Sequence, residues 1–218
     1  MLDAPLPALT PLAVLLAIAG AAWGFAADRI SARWPVHDDG SIRAIDWRTP
    51  VVMVVGALSL GALTLVFTEP ISTVVFGLYL VVLVLLLATD LDQRLLPDVF
   101  TLPAIPLAFL FGFSGFNPLV PQGLLSATVI AILVPAVLFA ISIPFGRGAI
   151  GQGDLKLLVS VGIIAGPLRL VYGVIYGALL AGVVLVVLLA LRRISLRTFV
   201  PYGPFLIIGA IWSILVIR

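Results

Sequence analysis

The chain has no cysteine, one histidine (His37) and one lysine (Lys156) among its 218 residues. Without cysteine there is no disulfide and no thiolate zinc site, and a single imidazole cannot build a metal cage. No metal is therefore expected. Charge is scarce as well. Charged residues make up 10% of the chain, where a soluble domain carries about 25%. The net charge is only +2, and the arginines behind it fall in loops, so no nucleic-acid partner is expected. Strict apolar–polar alternation is missing, which argues against a membrane β-barrel. There is no internal repeat and no low-complexity tail. The start, Met1-Leu2-Asp3-Ala4-Pro5, lacks a basic n-region, so no cleavable signal peptide is expected.

What is there is apolar. Hydrophobic residues make up 62% of the chain, in continuous runs near the length of a membrane span. The pattern predicts an all-α, polytopic membrane protein of about eight transmembrane helices, at 8–27, 50–67, 71–89, 99–116, 122–145, 154–168, 170–191 and 200–217. Arg29, Arg33, Arg43, Arg48, Arg94, Arg147, Lys156, Arg192, Arg193 and Arg197 then share one side, leaving Arg169 and Arg218 on the other. Excess Lys and Arg marks the cytoplasm, so both termini are expected outside. The segment 154–168 is short for a span of about 20 residues. If it did not cross, the charge bias would collapse. It reads as a short crossing helix that leaves a local dip for water. The polar loop 28–49 is too small to build its own core. Residues 1–218 thus read as a single membrane-embedded domain with a short cytoplasmic loop at 28–49.

Two stretches place carboxylates where apolar runs meet water: Thr89-Asp90-Leu91-Asp92-Gln93-Arg94-Leu95-Leu96-Pro97-Asp98 and Gly151-Gln152-Gly153-Asp154-Leu155-Lys156-Leu157-Leu158. Such groups are costly near hydrocarbon and usually line a wet or protein-lined site. Asp90 ends the third run without a break. Asp154 starts the sixth helix after two glycines, where helix N–H groups favour negative charge. If they lie within a few ångströms, the two would share a proton. The ionised member could then take a proton from water while the protonated one polarises a scissile carbonyl. Simpler readings compete. Asp98, after Pro97, reads better as a helix cap than as a site residue. Asp154 could be a cap and Asp90 a span-end anchor. Asp92 rivals Asp90, which is favoured slightly because it is deeper.

These motifs resemble the type IV prepilin peptidases, or leader peptidases, of the GxGD aspartic protease class. The likeness rests on Asp90-Leu91-Asp92 through Leu96-Pro97-Asp98 to Thr101-Leu102-Pro103, on Gly151 to Leu158 with Gly162 and Gly166, and on Pro201-Tyr202-Gly203-Pro204-Phe205-Leu206. The resemblance places the catalytic pair on Asp90 and Asp154, and selects Asp90 over Asp92 by its distance from Leu-Pro-Asp. It implies support or substrate contact by Gly151, Gly153, Lys156, Pro97 and Asp98. It implies cleavage of the short basic leader of type IV prepilins or pseudopilins, the subunits of type IV pili and type II secretion. The cut falls at the cytoplasmic face of the bacterial inner membrane, with lipid as surroundings and no cofactor for proteolysis. Many members carry two Cys-x-x-Cys pairs after the first helix and methylate the new N-terminus with S-adenosylmethionine. Here that place is the cysteine-free loop 28–49, so the chain resembles a short form. Family members often carry an acidic residue just before GxGD; here the stretch is Gly146-Arg147-Gly148-Ala149-Ile150. A bifunctional peptidase and N-methyltransferase is one alternative. A proton- or cation-coupled transporter is another, and a silent subunit of a pilus machine a third.

Beyond these motifs, Lys156 reads as a snorkelling anchor or an aid to the site. Arg192, Arg193 and Arg197 read as topology determinants. Gly203 and the prolines beside it either break the start of the last helix near the site or form an ordinary helix entry. Gly77, Gly162, Gly166, Gly173 and Gly177 read as helix packing, and Trp23, Trp34, Trp47 and Trp212 as interfacial or packing aromatics.

Overall fold

The computed structural model describes residues 10–37, 40–120, 123–145, 150–193 and 202–216. Asp38, Asp39, Arg147, Arg197, Pro201 and Arg218 lie outside the described residues. The described residues are all-helical, in eight α-helices: α1 (Pro11–Ser31), α2 (Arg48–Val66), α3 (Pro70–Gln93), α4 (Asp98–Phe113), α5 (Leu124–Ser142), α6 (Gln152–Ala165), α7 (Pro167–Ala190) and α8 (Gly203–Val216). Five of them (α1, α2, α3, α5 and α7) are long and apolar enough to cross a membrane. The chain is a multi-pass membrane protein, as its apolar runs require. It divides into two compact units, Met1–Ala88 and Thr89–Arg218, and the last residues of α3 belong to the second.

In the first unit α1 and α2 cross at glycines. A β-carbon on Gly24 would lie 2.5 Å from the Val52 carbonyl oxygen, and Gly20 and Gly56 meet backbone to backbone. Such small residues let membrane helices approach where apolar burial offers no drive. The Trp23 indole donates to the Val81 carbonyl of α3 at 2.9 Å, and Phe67 stacks on Phe76 with centroids 4.2 Å apart. Trp23 is thus a packing aromatic. Helix α1 runs to Ser31, four residues past its expected end. The reason is electrostatic. Asp28 is only 1% exposed, yet its carboxylate accepts from Arg29 Nη2 at 2.6 Å, from Thr49 Oγ1 at 2.7 Å and from Arg43 Nη2. Arg43 Nη1 also donates to Asp46 Oδ1 at 2.7 Å, and Arg29 Nη1 to the Arg43 carbonyl at 3.1 Å. A charge that sequence placed in a loop is therefore inside the last turn of a helix, and it stitches the following segment down.

In the second unit α6 is the central helix. It packs against α4, α5, α7 and α8, and every residue from Leu157 to Ala165 but Val159 is buried. At about 1.5 Å per residue its 14 residues reach about 21 Å, short of a bilayer core of about 30 Å. Such a length suits a helix enclosed by other helices. By contrast α5 and α7 turn Leu125, Val129, Ile132, Leu179, Val183 and Val186 outward, as lipid-facing helices do. Gly166, at φ +86°, makes the break that ends α6, and Pro167 opens α7. Asn117, itself buried, donates to the Ile164 carbonyl at 2.8 Å and so closes the end of α6. Replacing Asn117 with Leu should lower the melting temperature of the purified protein. The loss corresponds to about 1–3 kcal/mol for the orphaned carbonyl, and a melt equal to wild type would refute this role.

Candidate functional site

Helix α3 does not stop at its apolar run but continues through Asp90 and Asp92 to Gln93. Asp90 lies in its last turns, with its carbonyl accepting from the Arg94 N–H at 2.9 Å. The helical period then separates the two rivals, since residues two apart point to different faces. Asp90 is 5% exposed, whereas Asp92 is half-buried. Asp90 Oδ2 has no hydrogen-bond partner among the described residues. A buried, unpartnered carboxylate oxygen is costly and calls for a functional account.

Asp154 is the third residue of α6, after the N-cap Gly151. Its carboxylate turns back to accept from the Gly151 N–H, so it caps its own helix start in the manner of a third-position acid. Asp154 is thus not the N-cap itself but the third residue of the helix, holding the N-cap's N–H, which leaves its other oxygen for a further role. Gly153 explains the second glycine of the motif. A β-carbon there would sit 2.7 Å from Leu96 Cβ, so the α6 start and the Leu96-Pro97-Asp98 segment can touch only because Gly153 has no side chain.

The two carboxylates converge on a third element. A β-carbon built on Gly203, the first residue of α8, would overlap Asp90 Oδ2 and lie 3.0 Å from Asp154 Oδ1. Asp90 and Asp154 therefore face the same glycine, within a few ångströms of each other. Gly203 and Pro204 serve both readings open at the sequence level: they start α8 with Pro in its first turn, and they bring its backbone to the pair. Sequence reasoning gave no role to Tyr202, although it lies in the third motif. Its hydroxyl donates to the Val174 carbonyl at 3.3 Å. Burial, and after it the charge of Asp154, pushes the Tyr202 phenol above its usual value.

Asp98 corrects an expectation. The N-cap of α4 is Pro97, and no side chain caps that helix. Asp98 is the first helical residue, and its carboxylate takes the Lys156 ammonium at 2.6 Å instead. The cause is the α4–α6 packing, which puts the chain's single ammonium within reach of Asp98. Lys156 is therefore an inter-helix tie beside the site. The pair is solvent-exposed on the Asp98 side, so it adds at most about 1 kcal/mol. Replacing Lys156 with Met should cost little stability, and a change in melting temperature beyond a few degrees would contradict this. The described residues contain no cluster of three or more His, Cys, Asp or Glu that could hold a metal.

The family described as "Type IV leader peptidase family" matches residues 77–187. The family match takes in Asp90 and Asp154 but ends before Gly203. A Pseudomonas putida protein named prepilin leader peptidase/N-methyltransferase is 33% identical over 124 residues, covering 55% of this chain and 42% of the relative. A protein of the same name from Aeromonas salmonicida is 29% identical over 170 residues, 78% of this chain and 58% of the relative. One from Dickeya chrysanthemi is 28% identical over 167 residues, 76% and 59%. The chain thus spans about half the length of the curated relatives it matches. No solved structure matches.

Proposed function

We propose, on the premise that this chain belongs to the type IV leader peptidase family, that it is an aspartic endopeptidase for type IV prepilins or pseudopilins. It removes their short basic leader at the cytoplasmic face of the bacterial inner membrane. The observation that carries this reading is the convergence of Asp90 and Asp154 on Gly203, with Asp90 Oδ2 buried and unpartnered. The relatives' printed names support the substrate class.

Asp154 carries the charge, because the Gly151 N–H and the N-terminus of α6 favour the anion there. Asp90 holds the shared proton. Asp154 takes a proton from a water that attacks the scissile carbonyl carbon, and Asp90 donates its hydrogen bond to the carbonyl oxygen. The tetrahedral oxyanion, held by the Asp90 hydrogen bond, then collapses, the C–N bond breaks, and the proton held by Asp154 goes to the leaving amine. Lys156 and Asp98 fix the α6 start, and Gly151, Gly153 and Pro97 keep the two motif segments in register. A proton- or cation-coupled transporter is disfavoured, because both carboxylates sit at helix ends whereas transport sites lie toward the midplane.

Co-expression with a tagged prepilin tests the reading. Wild type is expected to shorten the prepilin by its leader. Unprocessed prepilin beside folded, membrane-inserted enzyme would refute it. A coupled pair of carboxylates predicts a bell-shaped pH dependence of the cleavage rate in detergent, and a flat profile would rule out proton sharing as the limiting feature. Chelator is expected to leave the rate unchanged.

Methyl transfer is not expected of this chain. The relatives' names imply S-adenosylmethionine, and the cysteine-free segment between α1 and α2 stands where the zinc domain of the longer family members is expected. Among the described residues that segment offers one acid, Asp46, which accepts from Arg43 at 2.7 Å and from Arg48 at 3.3 Å. Asp28 beside it is occupied by two arginines and Thr49. These residues do not fit a cationic cofactor. Mass spectrometry of a pilin processed by this enzyme alone, with S-adenosylmethionine supplied, should show an unmodified N-terminus. A gain of one methyl would prove the opposite.

A further inference from the structure

The third motif touches the carboxylate pair through a residue that has no side chain. Gly203 is buried at the start of α8. The space its missing side chain leaves is filled by the carboxylate of Asp90, whose Cγ would be 2.8 Å from an added β-carbon, with Asp154 Oδ1 3.0 Å away. Among the described residues nothing lies nearer to that space, so the strain of a side chain at 203 would fall first on these two acids.

Helix α8 cannot step back to relieve it. On its far side it is pressed against α7, backbone to backbone. A β-carbon on Gly177 would lie 2.7 Å from the Phe205 carbonyl oxygen, and Gly209 meets the Gly173 carbonyl more closely still. Its first turn is also fixed locally. The Phe205 and Leu206 N–H groups both donate to the Tyr202 carbonyl, at 3.1 and 3.2 Å. The backbone at 203 is therefore the rigid wall, and the Asp90 side chain is the part that must yield.

We propose that Gly203 is a positioning residue for the aspartate pair: the absence of its side chain sets how closely Asp90 approaches Asp154, and hence how strongly the two share a proton. It touches neither substrate nor water in this role and acts through Asp90. The proposal rests on the peptidase reading for its kinetic consequence, but the contact itself can be measured without activity. Other charged or titratable groups around the pair are Arg94, one helical turn beyond Asp90, the half-buried Asp92 two residues on in α3, Tyr202 beside Asp154, and the Asp98–Lys156 tie. Gly203→Ala leaves all of them in place.

The test is a stability cycle joined to kinetics, on the full-length chain purified in detergent. Gly203→Ala should lower the melting temperature by several degrees in the wild-type background. Most of that loss should disappear in an Asp90→Ala background, because the carboxylate that the methyl strikes is gone. An equal loss in both backgrounds would overturn the proposal. If Gly203→Ala alone gives no folded protein, recovery in the Gly203→Ala, Asp90→Ala double variant supports it, and failure of the double variant overturns it. In prepilin cleavage Gly203→Ala should lower kcat about a hundredfold or more with KM little changed, the scale expected for a misplacement of about an ångström. The bell of the pH–rate profile should narrow, since carboxylates held further apart couple less and their two apparent pKa values draw together. A structural defect alone would reduce the amount of active enzyme and leave the bell's width unchanged. Gly182→Ala, on a stretch of α7 with nothing within 4 Å of an added β-carbon, should match wild type. Wild-type kcat and bell width in Gly203→Ala would overturn the proposal. A wild-type chain that cleaves no prepilin would sink the peptidase reading, while the stability cycle would still decide the contact.

Discussion

Asp90→Asn and Asp154→Asn are each expected to reduce prepilin cleavage by about 10⁴-fold, the upper range for loss of a general acid or base. Each variant should still insert and melt near the wild-type temperature. The expectation follows from burial and from what each carboxylate touches. Asp90 Oδ2 has no partner to lose, so an amide of the same shape removes a group that only the reaction uses. Asp154 accepts one N–H from Gly151, which an asparagine oxygen can also accept. Stability is thus preserved while proton transfer is lost. The two single losses should be far from additive in the double variant, because the pair acts as a unit. Asp92→Ala and Asp98→Ala should keep measurable activity. Full processing by Asp154→Asn would end the assignment. Loss at Asp92 with normal activity in Asp90→Ala would transfer it to Asp92.

Asp28→Ala is expected to do the reverse, with a large loss of stability and no direct loss of chemistry. Asp28 is the buried acid that two guanidinium groups and the Thr49 hydroxyl share. Deleting one member of a buried ion group strands the others, which costs about 3–5 kcal/mol. The Arg43 side chain, 12% exposed, would lose one of its two carboxylate partners. The purified variant should melt well below wild type, and trypsin should cut sooner between α1 and α2, at Arg43. Cleavage activity per folded molecule should stay near wild type, since the pair lies in the other compact unit. A melting temperature equal to wild type would show that the ion group does not hold this segment. A specific loss of kcat with normal stability would give Asp28 a role in the reaction.

The contrast between these variants marks what each charged residue is for, and only part of that was legible in the sequence. Composition was enough for the class. With 62% hydrophobic residues in continuous rather than alternating runs, a backbone in lipid is helical and not a barrel, so eight helices and their rough positions were legible. The aspartates stood out because acids are so few in this chain. Helix ends were less legible, and for one reason. Apolar runs report where lipid is, whereas helices end where their last carbonyls and charges find partners. Asp28 found Arg29, Arg43 and Thr49, so α1 ran on to Ser31. Helix α3 ran on through Asp90 and Asp92, and the helical turn between them, rather than depth alone, separated the buried acid from the half-buried one.

Pairings between distant residues were beyond the sequence. Lys156 and Asp98 each had a local reading, as an anchor and as a cap, and only α4 packing on α6 made them one ion pair. Gly153 and Gly203 were motif letters until Leu96 and Asp90 were seen in the space a side chain would take. By itself the sequence determined an all-helical membrane chain with acids at two helix ends, because hydropathy and charge scarcity are local properties. The tertiary structure alone decided that those acids face one glycine of α8, because an approach of a few ångströms depends on which helices pack and how closely small residues let them.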